Sequence, residues 1–418
     1  MAKCKPYIVR VAVPSPLRRL FDYLVPDTVF QENADHRADV GCRVAVTFGR
    51  REVIGLIIEK ATTSDFDIGK LKPINRLLDS APLVPDQLFE LFGWAANYYQ
   101  YPMGDALFST LPVLLRKGEP LPKLGTRHWR LTQKGKGLGK DSLKRAPSQQ
   151  ALVEQLKTTG AVADLVLSKD FSRAILTSLE QKELIECFQK SNTETSVSNI
   201  LKQDALKLHD SQQSALDSIE QHIFNCYLLD GVTGSGKTEI YLQAIEKTLR
   251  YDRQALVLIP EISLTPQTEK RFRDRFNVPI VTLHSGLTDK NRLAAWTSAK
   301  TGEARIILGT RSAVFTPLCQ PGLIIVDEEH DQSYKQHEGF RYSARDLAVI
   351  RARRENISII LGSATPSIES LNNCAADRYQ HLVLTNRAGK AVQPTWSIVD
   401  LKNEQCEAGI AASTLANI

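Results

Sequence analysis

The chain has 418 residues, 42% of them hydrophobic and 24% charged, with a formal net charge of +6. That length calls for two to four domains, and the balance is that of a folded soluble protein whose basic excess permits a polyanionic partner without proving one. Seven scattered cysteines with no C-x-x-C pair argue against a disulfide framework and against a zinc site in this chain. The short apolar run in the opening "MAKCKPYIVRVAVPSP" is broken by Arg10 and by Pro14 and Pro16, so it does not read as a signal peptide, and no apolar run reaches 18 residues. A soluble cytoplasmic protein with no membrane partner is the expectation.

Residues 1–110 read as a small β-rich unit. "YIVRVAV", "FDYLVP", "CRVAVTF" and "EVIGLIIEK" are short runs rich in Val, Ile and aromatics, with "FGRRE" as a turn. "VPDQLFELFGWAANYYQYP" then places Leu88, Leu91, Phe92 and Ala95 at helical spacing and stops at Pro102. Residues 111–140, with "RKGEPLPKLGTRH", read as a basic linker. Within 141–190, "SQQALVEQLKTTG", "VADLVLS" and "SRAILTSLEQKELIECF" give three short helical patterns and a strand-like end. That order suits a winged helix, although a plain three-helix packing domain has the same pattern. The Ser/Thr/Asn stretch within 191–204 has little to bury and reads as a second linker.

From 205 to 392 strands alternate with helices. "NCYLLDG", "ALVLIP", "VPIVTLH", "ARIILGT", "LIIVDEEH" and "ISIILGSAT" are nearly continuous apolar runs, as expected for a parallel sheet covered on both faces. The fold class is therefore α/β and multidomain, with a lobe built on a parallel sheet.

"GVTGSGKT", Gly231 to Thr238, fits G-x-x-x-x-G-K-[ST] between a predicted strand and a predicted helix. Gly231, Thr233, Gly234, Ser235 and Gly236 belong to the loop whose amides wrap phosphates. Lys237 would neutralise the outer phosphates and the Thr238 hydroxyl would ligate Mg²⁺. "LIIVDEEH" puts Asp327 at a strand end, where it can hold the metal, and Glu328 where it can orient and deprotonate the attacking water. ATP hydrolysis with Mg²⁺ follows from the pair of motifs.

"GSATPS" (Ser363, Ala364 and Thr365 within it) resembles the segment that couples the two sites of superfamily 2 helicases. "PEISLTPQ" (260–267) and "GTRSAVF" (309–315) sit where that superfamily contacts nucleic-acid backbone, and "LHDSQQSAL" resembles its glutamine segment, with Gln212 the adenine-contacting residue. The wording "GVTGSGKTE", "LVLIPEISLTPQT", "LHSGL" and "DEEHDQSYKQHEGFRYSARDLA" resembles one family throughout: primosomal protein N′, the bacterial replication-restart DNA helicases. That resemblance implies a 3′→5′ helicase that recognises stalled or abandoned forks and initiates primosome assembly. It implies forked DNA with a nascent 3′ end and single-stranded DNA as ligands, single-stranded-DNA-binding protein and other primosome proteins as partners, and a monomer.

The resemblance also implies a terminal-nucleotide pocket of Phe21, Asp22, Gly41 and Lys72. After Asp327 it implies an aromatic-rich loop in which Tyr334, Lys335, Phe340 and Arg341 meet DNA, by stacking and by tracking phosphates. Arg351, Arg353 and Arg354 read instead as the solvated basic face of a helix. The resemblance implies that residues 205–392 are a RecA-like P-loop lobe and that 393–418 are a connector and the start of a truncated second lobe. The family's catalytic arginines and zinc-binding cysteines are not found in this chain, so ATP and fork binding with weak hydrolysis is the expectation. The alternative is a non-catalytic, structure-specific fork-DNA-binding fragment. A restriction-enzyme motor shares the generic motifs but does not explain "SYKQHEGFRY".

Overall fold

The computed structural model describes residues 7–26, 38–122, 126–139, 143, 146–163, 167, 170–190, 199–387, 402, 406–407 and 410–411. In the first unit, β1 (Ile8–Ala12), β2 (Phe21–Leu24), β3 (Arg43–Phe48), β4 (Arg51–Ala61) and β5 (Ile74–Leu77) form an antiparallel sheet in the order β2-β1-β4-β3-β5. The edges meet where the Leu24 N–H donates to the Lys72 carbonyl at 3.0 Å, next to a Leu24–Pro73 bridge, so the sheet curls into a small barrel. Val9, Val11, Tyr23, Val44, Val46 and Ile57 fill one face, spaced two apart within β1 and β3 as one face of a strand requires.

Helix α1 (Asp86–Tyr98) buries Leu88, Leu91, Phe92 and Ala95, the four residues its spacing singled out. It ends before Pro102, which instead precedes a second helix, α2 (Met103–Thr110); α3 (Val113–Arg116) follows. The reading of 111–140 as a linker does not hold. Arg43 is fully buried, pairs in bidentate fashion with Asp79, and donates through Nη1 to the Leu115 and Glu119 carbonyls at 2.7 and 2.9 Å. The guanidinium thus straps residues 115–119 to the barrel.

Further along the same supposed linker, β6 (Thr126–Leu131) is the middle strand of a three-stranded antiparallel sheet and buries Trp129; α4 (Gln133–Lys136) follows. The sheet's partners are β7 (Val162–Ala163) and β8 (Ile185–Lys190), and α5 (Pro147–Thr159) and α6 (Arg173–Gln181) supply Leu152, Leu156, Leu176 and Leu179 to its core. This module therefore starts near residue 126 rather than 141. "VADLVLS" begins as strand β7, and most of its remainder lies outside the described residues.

The parallel sheet is built from β9 (Cys226–Gly231), β10 (Gln254–Leu258), β11 (Ile280–Leu283), β12 (Ile306–Gly309), β13 (Pro321–Val326), β14 (Ser358–Ser363) and β15 (Gln380–Leu384), in the order β11-β12-β10-β13-β14-β9-β15. Helices α7 (Asp210–Ser218), α8 (Lys237–Arg250), α9 (Pro266–Arg275), α10 (Asp289–Thr301), α11 (Ala344–Glu355) and α12 (Ile368–Ala375) complete the lobe. Its inner strands are buried at nearly every position, as the unbroken apolar runs demanded.

Two boundaries move. Ile200 is buried and the Lys202 N–H donates to the Arg275 carbonyl, so the end of the supposed second linker belongs to the lobe. At the other end, β15 adds an edge strand that the sequence pattern did not single out. Most of 393–418 lies outside the described residues.

The barrel unit and the lobe share one apolar core. Phe92 of α1 stacks on Phe315 at 5.2 Å, Arg354 of α11 pairs with Glu90 of α1, and Lys300 of α10 donates to the Pro82 carbonyl. Burial against the barrel pulls the Lys300 pKa down. No helix among the described residues is long and apolar enough to cross a membrane.

Candidate nucleotide site and nucleic-acid interface

Strand β14 lies between β9 and β13, so the segments leaving these three strands emerge side by side. The loop after β9 turns through Gly234 and Gly236, at φ +80° and +84°, a backbone region that favours glycine. It delivers Lys237 and Thr238 to the first turn of α8, whose leading amides have no partner within the helix. The cavity of about 590 Å³ in front of it is lined by Thr233, Gly234, Ser235, Gly236, Lys237 and Thr238, and also by Asp327 and Glu328. The two halves of the expected site thus face one space.

Polar groups in this space are held ready. Lys237 is buried and donates to the Gly231 carbonyl at 2.7 Å. The buried Ser235 hydroxyl has no partner among the described residues. Burial and the adjacent Glu328 push the Asp327 pKa up, while Tyr241 and Lys237 oppose the shift. Glu328 sits at φ +46°, a strained region for a residue with a side chain. These groups fit a nucleoside triphosphate with a divalent cation: an orphan hydroxyl and a lysine on the phosphate side, and a hydroxyl and a carboxylate on the metal side.

Gln212 is not part of that lining. It is buried, receives the His209 N–H at 2.9 Å and donates to the Ser235 carbonyl at 2.8 Å, so one acceptor site and one donor of its carboxamide are engaged by the protein. The structure gives Gln212 a hold on the phosphate loop, outside the lining of the cavity where adenine contact was expected of it. Leu206, two-thirds exposed, lines the same cavity and offers an apolar face that the motif search missed. A lone leucine in a loop carries no pattern by which sequence could have found it.

The coupling segment reaches the carboxylates through a residue the reading passed over. His330 Nδ1 lies 2.7 Å from the buried Ser363 hydroxyl, His330 Nε2 lies 3.4 Å from Thr365 Oγ1, and Nδ1 is 3.6 Å from Glu328 Oε2. Ala364 only spaces the two hydroxyls. Beside it, the buried Glu329 pairs with Arg345 at 3.0 Å and accepts from the Ser367 N–H at 2.7 Å and from the Ser367 and Ser370 hydroxyls. The signal for both was in "DEEH" itself.

The aromatic-rich loop differs from its expected role at two of four positions. Tyr334 is 2% exposed, and its hydroxyl lies 2.9 Å from the Leu258 carbonyl and 2.6 Å from the Asp327 carbonyl. Phe340 is 3% exposed and packs among Tyr99, Tyr101, Phe315 and Tyr342. Neither ring can stack a base from there. Lys335 and Arg341 are exposed and remain able to meet phosphates. Arg351 is also not solvated: it is 1% exposed, pairs with Glu355 at 2.9 Å and donates to the Val314 carbonyl. Arg311 anchors the loop by donating to the Ser333 and Lys335 carbonyls, and a cavity of about 360 Å³ joins Glu261, Ser285, Thr310 and Arg311 to Gln336 and Glu338. It brings "PEISLTPQ", "GTRSAVF" and the loop to one surface.

At the barrel, Phe21 meets Phe48 edge-on at 4.8 Å under the Arg19 guanidinium, and the exposed Lys72 donates to the Gly49 carbonyl at 3.3 Å, so both lie beside the β3–β4 turn. Asp22 points to the opposite face, as the next residue of a strand must, and lies 3.5 Å from Arg10. Gly41, at φ +87°, turns against Pro82, three strand steps from Phe21 through Ile57 and Val11. The structure brings two of these four residues together.

Comparison with known proteins agrees with this architecture. Residues 10–112 match the 3′ DNA-binding domain (3′BD) family and residues 209–374 the DEAD/DEAH box helicase family. Replication restart protein PriA of Haemophilus influenzae is 45% identical over 419 residues, covering 98% of this chain and 56% of that protein. The Bacillus subtilis protein of the same name is 32% identical, covering 92% and 56%. The helicase domain of Pyrococcus furiosus Hef superposes at a TM-score of 0.36 and 21% identity, over 44% of this chain and 40% of that one. The chain spans about half the length of the curated relatives it matches. With both domain families in order, the chain is similar over nearly its whole length to about half of replication restart protein PriA.

Proposed function

We propose that this chain binds ATP with Mg²⁺ at the 231–238 loop, holds a nascent 3′ DNA end at its barrel, and serves a 3′→5′ helicase that restarts replication at abandoned forks. The observation that carries this reading is the single cavity lined by both Lys237–Thr238 and Asp327–Glu328. Lys237 leaves the Gly231 carbonyl to neutralise the outer phosphates. Thr238 and Asp327 would hold the divalent cation, which would supply positive charge against that developing on the phosphoryl group. Glu328 orients and deprotonates the attacking water, and His330 relays its position to Ser363 and Thr365. The module from 126 to 190 acts as a winged helix on the duplex arm, while Lys335 and Arg341 track phosphates. Phe21, stacking from the barrel end, and Lys72, on the terminal phosphate, supply the 3′-end contact, with Asp22 and Gly41 shaping the strand and turn behind it. Single-stranded-DNA-binding protein and other primosome proteins are the partners, met in the cytoplasm by a monomer.

The test is Lys237→Ala in this chain, with binding of a fluorescent ATP analogue measured beside forked-DNA affinity. Nucleotide affinity should fall by roughly 10–100-fold, the value of a charge-assisted hydrogen bond, with fork affinity unchanged. Unchanged nucleotide affinity would sink the site assignment. Wild-type ATP turnover with and without forked DNA separates a catalytic role from a fork-binding module alone.

A further inference from the structure

We propose that Tyr241 is the positioning residue for the Asp327 carboxylate, and that residue 362 is glycine because the Tyr241 phenol occupies the place of a side chain there. The inference rests on the reading of Asp327 as the metal-holding carboxylate. Tyr241 lies one helical turn after Lys237 on α8, on the same face. It is 2% exposed, and its hydroxyl donates to Asp327 Oδ1 at 3.1 Å. A Cβ built at Gly362 would fall 1.6 Å from Tyr241 Oη and 2.8 Å from Cζ, a distance no real pair of atoms adopts.

Three elements therefore meet at one phenol: the helix that carries Lys237, the strand end that carries Asp327, and the strand that continues into Ser363 and Thr365. A buried tyrosine hydroxyl needs a partner wherever it lies, and Asp327 would serve for that alone. The missing side chain at residue 362 adds a second, independent requirement, since β14 has given up packing volume along the phenol's path to Asp327. With Oδ1 fixed, Oδ2 and the orientation of the carboxylate plane are fixed too. A freely turning carboxylate beside Glu328 would spend part of its time directed away from the metal. Partners behind a metal ligand commonly matter to metal affinity for this reason.

The experiment uses the whole chain and a fluorescent ATP analogue, titrated with Mg²⁺ and repeated with Mg²⁺ chelated. In Tyr241→Phe, the Mg²⁺ concentration giving half of the metal-dependent gain in nucleotide affinity should rise about tenfold. Affinity with Mg²⁺ chelated should not move, a split that a merely structural phenol would not produce. Gly362→Ala should raise the same midpoint, and the double variant should be no worse than Gly362→Ala alone. An unchanged midpoint in Tyr241→Phe while Asp327→Asn raises it would overturn the positioning role. If Asp327→Asn also leaves the midpoint unmoved, the underlying reading of Asp327 fails together with it. Should Gly362→Ala not fold, Tyr241→Phe alone decides.

Discussion

Phe340→Ala should destabilise the chain by about 3–5 kcal/mol, the usual cost of truncating a buried phenylalanine. The ring lies 5.4 Å from Tyr101, 6.2 Å from Phe315 and 5.2 Å from Tyr342. Two of these neighbours belong to the lobe and one to the segment after α1, so the cavity left by truncation opens in the joint between barrel unit and lobe. Urea unfolding should show the loss, and limited proteolysis should cut faster near residues 98–103. The control is Arg341→Ala, one residue on but exposed. Its stability should stay within about 0.5 kcal/mol, while the salt dependence of fork binding should fall by about one phosphate contact. If Phe340→Ala instead keeps full stability and loses only DNA affinity, the ring faces DNA after all and the packing is wrong.

This contrast shows where the sequence was legible. Placement was readable where a pattern leaves few options: Lys237 and Asp327 line one cavity, and Leu88 and Phe92, at helical spacing, are buried. Aromatic residues were not, because the same ring serves a base, a core or a carbonyl, and only the neighbours decide. Tyr334 and Phe340 stand in a polar, basic run that suggests stacking, yet their partners come from Leu258 and Tyr101, remote in sequence. Arg351 misled in the same way, and Arg43 carried no local sign of its burial. A charged side chain counts as surface until a carboxylate and free carbonyls are placed around it, and Asp79, Glu355 and Val314 supply those. The linker boundaries failed because β6 gains its meaning from β8, more than fifty residues later. Barrel closure at Leu24–Pro73 has no local signal at all.

Glu329→Ala should cost about 3–5 kcal/mol, because it strips the Ser367 N–H and two hydroxyls of their acceptor and leaves the largely buried Arg345 with Asp346 as its remaining carboxylate. Much of this is the penalty on the groups left behind, so Glu329→Gln should recover part of it, keeping an acceptor while losing the charge. The consequence extends beyond stability. Glu329 follows Glu328 directly, and its N–H donates to the Gly362 carbonyl at 2.9 Å. It therefore joins the strand end bearing Asp327, the start of α11 through Arg345, and the start of α12 through Ser367 and Ser370. Any shift of the basic loop before α11 has this carboxylate as a rigid path to the residues on either side of Glu328. Differential hydrogen exchange should report the break: in Glu329→Gln, amides of 363–370 should exchange faster on their own, while those of β9 and β10 stay protected. Uniformly faster exchange across the lobe would reduce Glu329 to a general core contact and remove it from the coupling path.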